Sequence, residues 1–409
     1  MSTIVAPPEV VSPISTTSSS PVPAQQQPTK FYRPELDGLR FCCFLAVFIG
    51  HSFLISPQMF SGSGPMMAEL GRWLVAIMNM GYVAVGAFFV LSSYLITELL
   101  LREHERTGRI DIGAFYARRA LRIWPLYYFF LIVTLVVERS CGLASIPTAD
   151  LPWYFTFLGN WQIVTSAHIP HSAAQLLWTV AIEEQFYLVW PVLIAFISPK
   201  RLVWACLALL LAGSVTRIWL WQTGASHFAI YFNTAVHFDT IAWGALLAIG
   251  TRCGWLDSWS AAARWSLVTG GVVAAILTQR YLADVQPFPA WPVIAYPLFA
   301  LAALAVVAGA IRLNAEQTSP LTHPWLVHLG KISYGLYIWH LLAILLVYRL
   351  GWCAPRSPGT ILFALPLTIL LAELSYIWVE KPFLAWKERY ARADAKPEGL
   401  PRQSAVAEI

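Results

Sequence analysis

Apolar residues in this chain do not recur every second, third or fourth position, as in a half-buried strand or a one-sided helix. They run on in blocks of roughly 20. Ten blocks can be placed, at about residues 41–58, 82–101, 121–137, 174–197, 202–221, 231–250, 265–282, 291–311, 333–351 and 360–379. A hydrocarbon core about 30 Å thick is crossed by about 20 residues of helix, and in lipid every backbone polar group must be satisfied internally. The pattern therefore predicts an all-α fold, a polytopic membrane bundle of about ten transmembrane helices, over residues 31–385. Residues 1–30 are rich in Pro, Ser, Thr, Val and Gln and lack the basic start and apolar core of a secretory signal; they read as a disordered cytoplasmic tail. Residues 386–409 read as a short charged cytoplasmic tail.

The 409 residues are 57% hydrophobic and 14% aromatic but only 12% charged, about half the charge of an ordinary soluble domain. Nineteen Trp and 22 Phe would leave large apolar patches in water, so the solvent is a lipid bilayer. The formal net charge of +5 is then a matter of orientation, and nucleic acid is not expected as a partner. With the N-terminus inside, 21 Lys and Arg fall on the cytoplasmic side, five outside, and Arg217 within a span. That bias predicts a multi-pass protein of the inner (plasma) membrane with both termini cytoplasmic. The six cysteines include no CxxC pair, so no metal is expected. Only Cys141 and Cys353 fall in predicted extracytoplasmic loops, where oxidation is permitted; a bridge between them is open, two free thiols being the plainer expectation.

Within the blocks lie His51, Glu183, Glu184, Arg217, His237, Asp239, His340 and Glu373, each costing on the order of 3 kcal/mol at mid-bilayer if unpaired. Arg40 and His51 are eleven residues apart; eleven helical steps turn through about 1100°, back to within roughly 20° of the same face, and rise about 16 Å. One face thus carries a cation near the cytoplasmic mouth and an imidazole deep inside, although His51 could equally be a structural residue bonded to a backbone carbonyl. Glu183 and Glu184 are adjacent on a predicted helix and point about 100° apart, so one faces the interior as a relay or cation partner, or packs in a salt bridge to Arg217 or another span. Between the second and third blocks, Arg119 and Arg122 are three apart and face the same way; they could clamp phosphate bidentately or contact anionic lipid heads. Ser92 and Ser93 have no nucleophile elbow around them and read as small residues for close helix packing. His340 sits a turn or two inside the ninth block, and Glu380 precedes a helix-stopping Pro382, where it could pair with Lys381 or a loop Arg.

In order along residues 31–385 the chain carries Arg40-x10-His51, Gly86-Ala-Phe-Phe-Val-Leu-Ser-Ser-Tyr-Leu95, Arg119-x-x-Arg122, Trp178-Thr-Val-Ala-Ile-Glu-Glu-Gln-Phe-Tyr187, Ser333-Tyr-Gly-Leu-Tyr-Ile-Trp-His340 and Glu380-Lys-Pro382. Together these resemble the acyltransferase 3 family of bacterial integral-membrane O-acyltransferases. The resemblance implies transfer of an acyl group, usually acetyl, from cytoplasmic acyl-CoA to a hydroxyl of a saccharide, glycolipid or secondary metabolite. It implies His51 as catalytic base, Glu183 as its orienting or proton-accepting partner, and Arg40, Arg119, Arg122, Glu184, Tyr187, Asp239, His340 and Glu380 as substrate-binding residues. Acyl-CoA, in the acetyl form, is the expected donor substrate and no permanently bound cofactor is implied; the expected partners are acyl-CoA, a carbohydrate-type acceptor and the bilayer. Three positions depart from the family pattern: Ser93 stands in place of a Gly, Ala87 shifts its segment, and His237-Phe-Asp239 replaces Arg-x-Asp, which implies a pH-dependent cation beside Asp239. The rival class is a proton-coupled transporter, for which intramembrane Asp, Glu and His are equally expected.

Overall fold

The computed structural model describes residues 31–53, 59, 62, 64–283, 291–313 and 319–386; the two expected tails lie outside these residues, apart from Trp386. The chain divides into Met1–Tyr32, of which only Phe31 and Tyr32 are described, and Arg33–Ile409, to which every helix belongs. Among the described residues fifteen α-helices follow one another: α1 (Pro34–Ser52), α2 (Pro65–Met78), α3 (Gly81–Thr107), α4 (Ile112–Ser140), α5 (Leu151–Phe155), α6 (Gly159–Ser166), α7 (Leu177–Phe196), α8 (Pro199–Gln222), α9 (His227–Tyr231), α10 (Phe238–Arg252), α11 (Ala261–Thr278), α12 (Trp291–Ala310), α13 (Pro324–Lys331), α14 (Ser333–Arg349) and α15 (Gly359–Ser375). No strand occurs among the described residues.

Local chemistry explains where the helices begin and end. Pro34, Pro65 and Pro199 open α1, α2 and α8, where a missing N–H costs nothing. Side chains of Asp111, Ser226 and Ser260 accept from the first free amides of α4, α9 and α11. Gly108, at φ 73°, stops α3 with a left-handed residue whose N–H bonds back to His104 O. The stretch read as a loop between the second and third blocks is therefore mostly helix, with only residues 108–111 outside α3 and α4. Arg119 and Arg122 both lie on α4.

Seven segments among the described residues are long and apolar enough to cross a membrane: Pro65–Thr107, Ile112–Ser140, Ala173–Phe196, Lys200–Gln222, Ala261–Leu282, Trp291–Ala310 and Gly359–Trp386. An eighth arises if α13 and α14, bent by 73° at their junction, count as one span. Two further predicted blocks coincide with α1 and α10. Glu35, Asp37 and Arg40 make the first two turns of α1 strongly polar. The block at 231–250 is broken, because Asn233 caps a 3-10 turn at Thr234–His237 and leaves α10 with 15 residues, about 22 Å of helix against about 30 Å of hydrocarbon. The expected count of ten is thus not established.

Buried apolar side chains form two clusters. One gathers Phe44 and Phe48 with residues of α4, α7, α14 and α15. The other gathers Leu36, Leu39, Cys43 and Val47 with residues of α3, α10 and α12. On α1, at about 100° per residue, Phe44 and Phe48 lie to one side of the Arg40–His51 line and the second set to the other, so that line runs along the seam between clusters. Phe88 and Tyr337 pack against both.

Glycines bring backbones together where α1 meets α13 and the 3-10 turn Pro320–Thr322 before it. A methyl group on Gly330 would overlap the carbonyl oxygen of Asp37, and one on Gly38 the carbonyl oxygen of Leu321. Cys141 and Cys353 are both free thiols; the Cys353 sulfur lies 3.8 Å from Thr360 Oγ1, and the pairing left open by the sequence does not occur. Overpacking at the α1–α13 contact costs about 1–3 kcal/mol. Gly330→Leu is therefore expected to lower the midpoint of thermal unfolding of the detergent-solubilised protein, whereas Gly270→Ala, which meets nothing within 4 Å, leaves it in place.

Candidate functional site

Three helices carry polar groups along the seam in the same order. On α7, Trp178 packs against Tyr231 and His237 at one end (ring centroids 5.2 and 5.8 Å apart). Thr179 donates to the Tyr337 hydroxyl at 2.9 Å. One turn on, Glu183 Oε1 accepts from the Ser92 hydroxyl at 2.6 Å, and at the far end the Tyr187 ring lies 5.8 Å from the Arg119 guanidinium. On α3, Phe89 meets His237 at 5.1 Å, Phe88 meets Tyr337 at 6.0 Å, and Ser92 reaches Glu183. On α1, His51 lies in the middle, where His340 joins it to Tyr337, and Arg40 lies at the second end.

His51 does not touch Glu183; its partner is His340, a residue 289 positions away, with Nδ1 and Nε2 3.0 Å apart and the rings stacked at 5.1 Å. His340 is fully buried, while His51 is solvent-accessible. His340 Nδ1 lies 2.5 Å from the Tyr337 carbonyl oxygen. A carbonyl only accepts, so that nitrogen carries the hydrogen. With both rings neutral, His340 Nε2 then accepts from His51 Nδ1–H, and His51 Nε2 is left with a free lone pair. The arrangement can take a proton from a hydroxyl.

At the other end, Arg40, Arg119 and Arg122 lie within electrostatic range of one another, with Tyr187 and Glu183 beside them. Asp37 Oδ1 compensates Arg40 at 3.3 Å, and Arg119 sits over the Phe115 ring at 5.5 Å. Neither Arg119 nor Arg122 has a carboxylate within ion-pairing distance among the described residues. Glu380, buried at the end of a π-turn over Tyr376–Glu380, is within range of Arg122, and its Oε1 has no hydrogen-bond partner. Glu184 points away from Glu183 as expected and accepts from Trp124 Nε1 at 2.9 Å.

Asp239 is differently placed. Its cation is not His237 but Arg217 of α8, whose Nη2 donates to Asp239 Oδ2 at 2.6 Å and to Val236 O at 2.8 Å. His237 instead uses Nε2 on the Tyr231 carbonyl at 2.7 Å. Sequence reasoning also missed Asn160 on α6, which with Gln185 and Thr234 ties α6, α7 and the turn before α10 together: Asn160 Nδ2 donates to Thr234 Oγ1 at 2.9 Å, and Gln185 Nε2 to Asn160 Oδ1 at 2.9 Å. Asn160 lies between the predicted blocks at 121–137 and 174–197, where nothing local in the sequence singles it out.

An all-helical, multi-pass membrane protein with a hydrogen-bonded histidine pair and a cluster of three arginines along one seam is the class that fold and site define. A profile of the acyltransferase 3 family, described as an acyltransferase domain, matches residues 33–377, and the chain belongs to that family. It is similar to the O-acetyltransferase OatA of Staphylococcus aureus strains NCTC 8325 / PS 47 and COL, at 27% identity over 373 residues, 86% of this chain and 57% of each relative. A further Staphylococcus aureus protein, from strain MSSA476, matches at 26% over 390 residues, 91% of this chain and 60% of its own. The chain thus spans about three fifths of the length of the curated relatives it matches. No solved structure matches it.

Removing one partner of a buried ion pair leaves an uncompensated charge and costs about 3–5 kcal/mol, while replacing both with apolar groups is far milder. Asp239→Leu is therefore expected to lower the thermal midpoint sharply, and Arg217→Met added to it to restore most of the loss, read by thermal unfolding in detergent.

Proposed function

We propose that the chain is a membrane-bound O-acyltransferase. It moves an acyl group, in the first instance acetyl, from cytoplasmic acyl-CoA to a hydroxyl of a carbohydrate-type acceptor such as a cell-surface polysaccharide or glycolipid, in the inner membrane with both termini cytoplasmic. The observation that carries this reading is the pair Arg119 and Arg122. Two half-buried guanidiniums without carboxylates within ion-pairing distance among the described residues call for an anionic ligand, and their spacing suits bidentate phosphate. Family membership and the names of the Staphylococcus aureus relatives support the same chemistry.

In this reading the phosphates of CoA lie against Arg40, Arg119 and Arg122, and the pantetheine arm runs along the seam. The rise of about 16 Å from Arg40 to His51 along α1 brings the thioester to the imidazole. His51 Nε2 takes the proton from the acceptor hydroxyl as its oxygen attacks the thioester carbonyl. The tetrahedral intermediate collapses with cleavage of the C–S bond, and the proton passes from His51 to the departing thiolate. His340 positions His51 by fixing which nitrogen carries hydrogen. Glu183, held by Ser92 among the arginines, balances their charge, and Tyr187 and Glu380 complete the polar wall around them.

Charge-assisted hydrogen bonds contribute about 1.5–3 kcal/mol each, so Arg119→Gln with Arg122→Gln should weaken acetyl-CoA binding roughly 100-fold, with Lys at both sites rescuing only in part; isothermal titration of the purified protein reads it, and unchanged affinity would return the pair to lipid contact. His51→Ala should abolish acetyl transfer while the protein still inserts and binds acetyl-CoA. His340→Ala should slow transfer and displace its pH profile at unchanged acetyl-CoA affinity. An unmoved pH profile would remove His340 from the positioning role.

A further inference from the structure

At the end of the seam away from the arginines lies a shallow recess between α3, α10 and α12, walled by Tyr82, Tyr231, Tyr296 and Phe299 with His237 and Asp239 at its floor. We propose that this recess is the subsite for one ring of a neutral carbohydrate, the acceptor of the reaction proposed above, on which this inference rests.

Three features of the recess point to that ligand class. Its walls are aromatic and mutually braced: Tyr82 stands edge-on to Tyr231 at 5.1 Å and is stacked on Phe299 at 6.4 Å, and Tyr231 is backed by His227 at 5.8 Å and Tyr296 at 5.6 Å. Tyr82 is 37% exposed at the rim. Rings held from behind offer a flat face at low entropic cost to a ligand that presents a flat C–H surface, which the pyranose ring does. The recess also carries no net charge to attract an ion. The Arg217–Asp239 pair at its floor is closed at 2.6 Å, so, unlike the arginine end, it does not select for phosphate or carboxylate. Hydroxyl-directed groups are nonetheless present. The carbonyl of Tyr231 accepts from His237 Nε2, which leaves Nδ1 as an acceptor when the ring is neutral, and the Tyr231 hydroxyl has no hydrogen bond to the protein among the described residues.

Position adds a fourth argument. Tyr231 is within electrostatic range of Tyr337, and the Tyr337 ring lies 5.5 Å from that of His340, the partner of His51. A ring in the recess is therefore separated from the proposed base, His51, by Tyr337 and His340, and lies at the other end of the seam from the donor phosphates.

The test is Tyr231→Leu and Tyr231→Trp in the full chain expressed in bacterial cells, with ester-linked acetate on envelope carbohydrate measured by mass spectrometry and acetyl-CoA binding measured on protein purified in a detergent without a sugar head group. Expected are a loss of carbohydrate acetate of at least tenfold in Tyr231→Leu, wild-type acetyl-CoA affinity in both variants, and recovery of most of the acetate in Tyr231→Trp. Wild-type acetate in Tyr231→Leu, loss of acetate together with acetyl-CoA affinity, or failure of Tyr231→Trp to recover would each overturn the proposal. Should the unaltered chain acetylate no carbohydrate, the acyltransferase reading fails by itself. The recess is then judged by saturation-transfer NMR with methyl β-D-glucopyranoside, contact abolished by Tyr231→Leu sustaining it and absence of contact in the unaltered chain overturning it.

Discussion

A charge inside a bilayer has no water to solvate it, and the protein must supply what water would. Much of the interior can be read as a response to that constraint. Arg217 meets Asp239 and a carbonyl oxygen; Glu98 meets Arg102 and Arg252; Glu138, wholly buried, accepts from the Ser172 hydroxyl and the Ala173 amide at the start of a 3-10 turn; Glu35 accepts from the backbone N–H of Arg312. Each of these compensations also fixes one helix to another or to a turn. Against that background the two guanidiniums of α4 differ in having no carboxylate within ion-pairing distance among the described residues.

Division of the apolar interior into two clusters gives that place its shape. Had the helices closed around a single core, the Arg40–His51 face of α1 would have been driven against aliphatic side chains. Instead the clusters leave a line of polar and aromatic groups between them, and α1, α3 and α7 all contribute to it in matching order. A chemically graded corridor results, cationic at one end, basic without charge in the middle and aromatic at the other.

Periodicity within one helix was fully legible in the sequence: Arg40 and His51 share a face of α1, Arg119 and Arg122 share one on α4, and Glu183 and Glu184 diverge to Ser92 and Trp124. What could not be read was which helix stands opposite. Nothing local to His51 points to a residue 289 positions away. Asp239 was matched with the nearest titratable neighbour in sequence, whereas the fold brings Arg217 across from the preceding helix. Short elements were lost for a related reason: α2, α5, α6 and α9 are too brief or too close to longer runs for hydropathy to separate them, and the polar network of Asn160, Gln185 and Thr234 connects residues from three such neighbourhoods.

The glycine contact between α1 and α13 has a mechanical implication. With its backbone against Gly330 of α13 and, at Gly38, against Leu321 in the turn before it, α1 is held closely to that corner, and α13 turns through 73° into α14. Arg40, His51 and His340 are thereby carried on a single elbow. Rocking of that elbow within the bundle would shift the cation and both imidazoles by a common displacement, preserving their mutual spacing while altering their distance from α4 and α7.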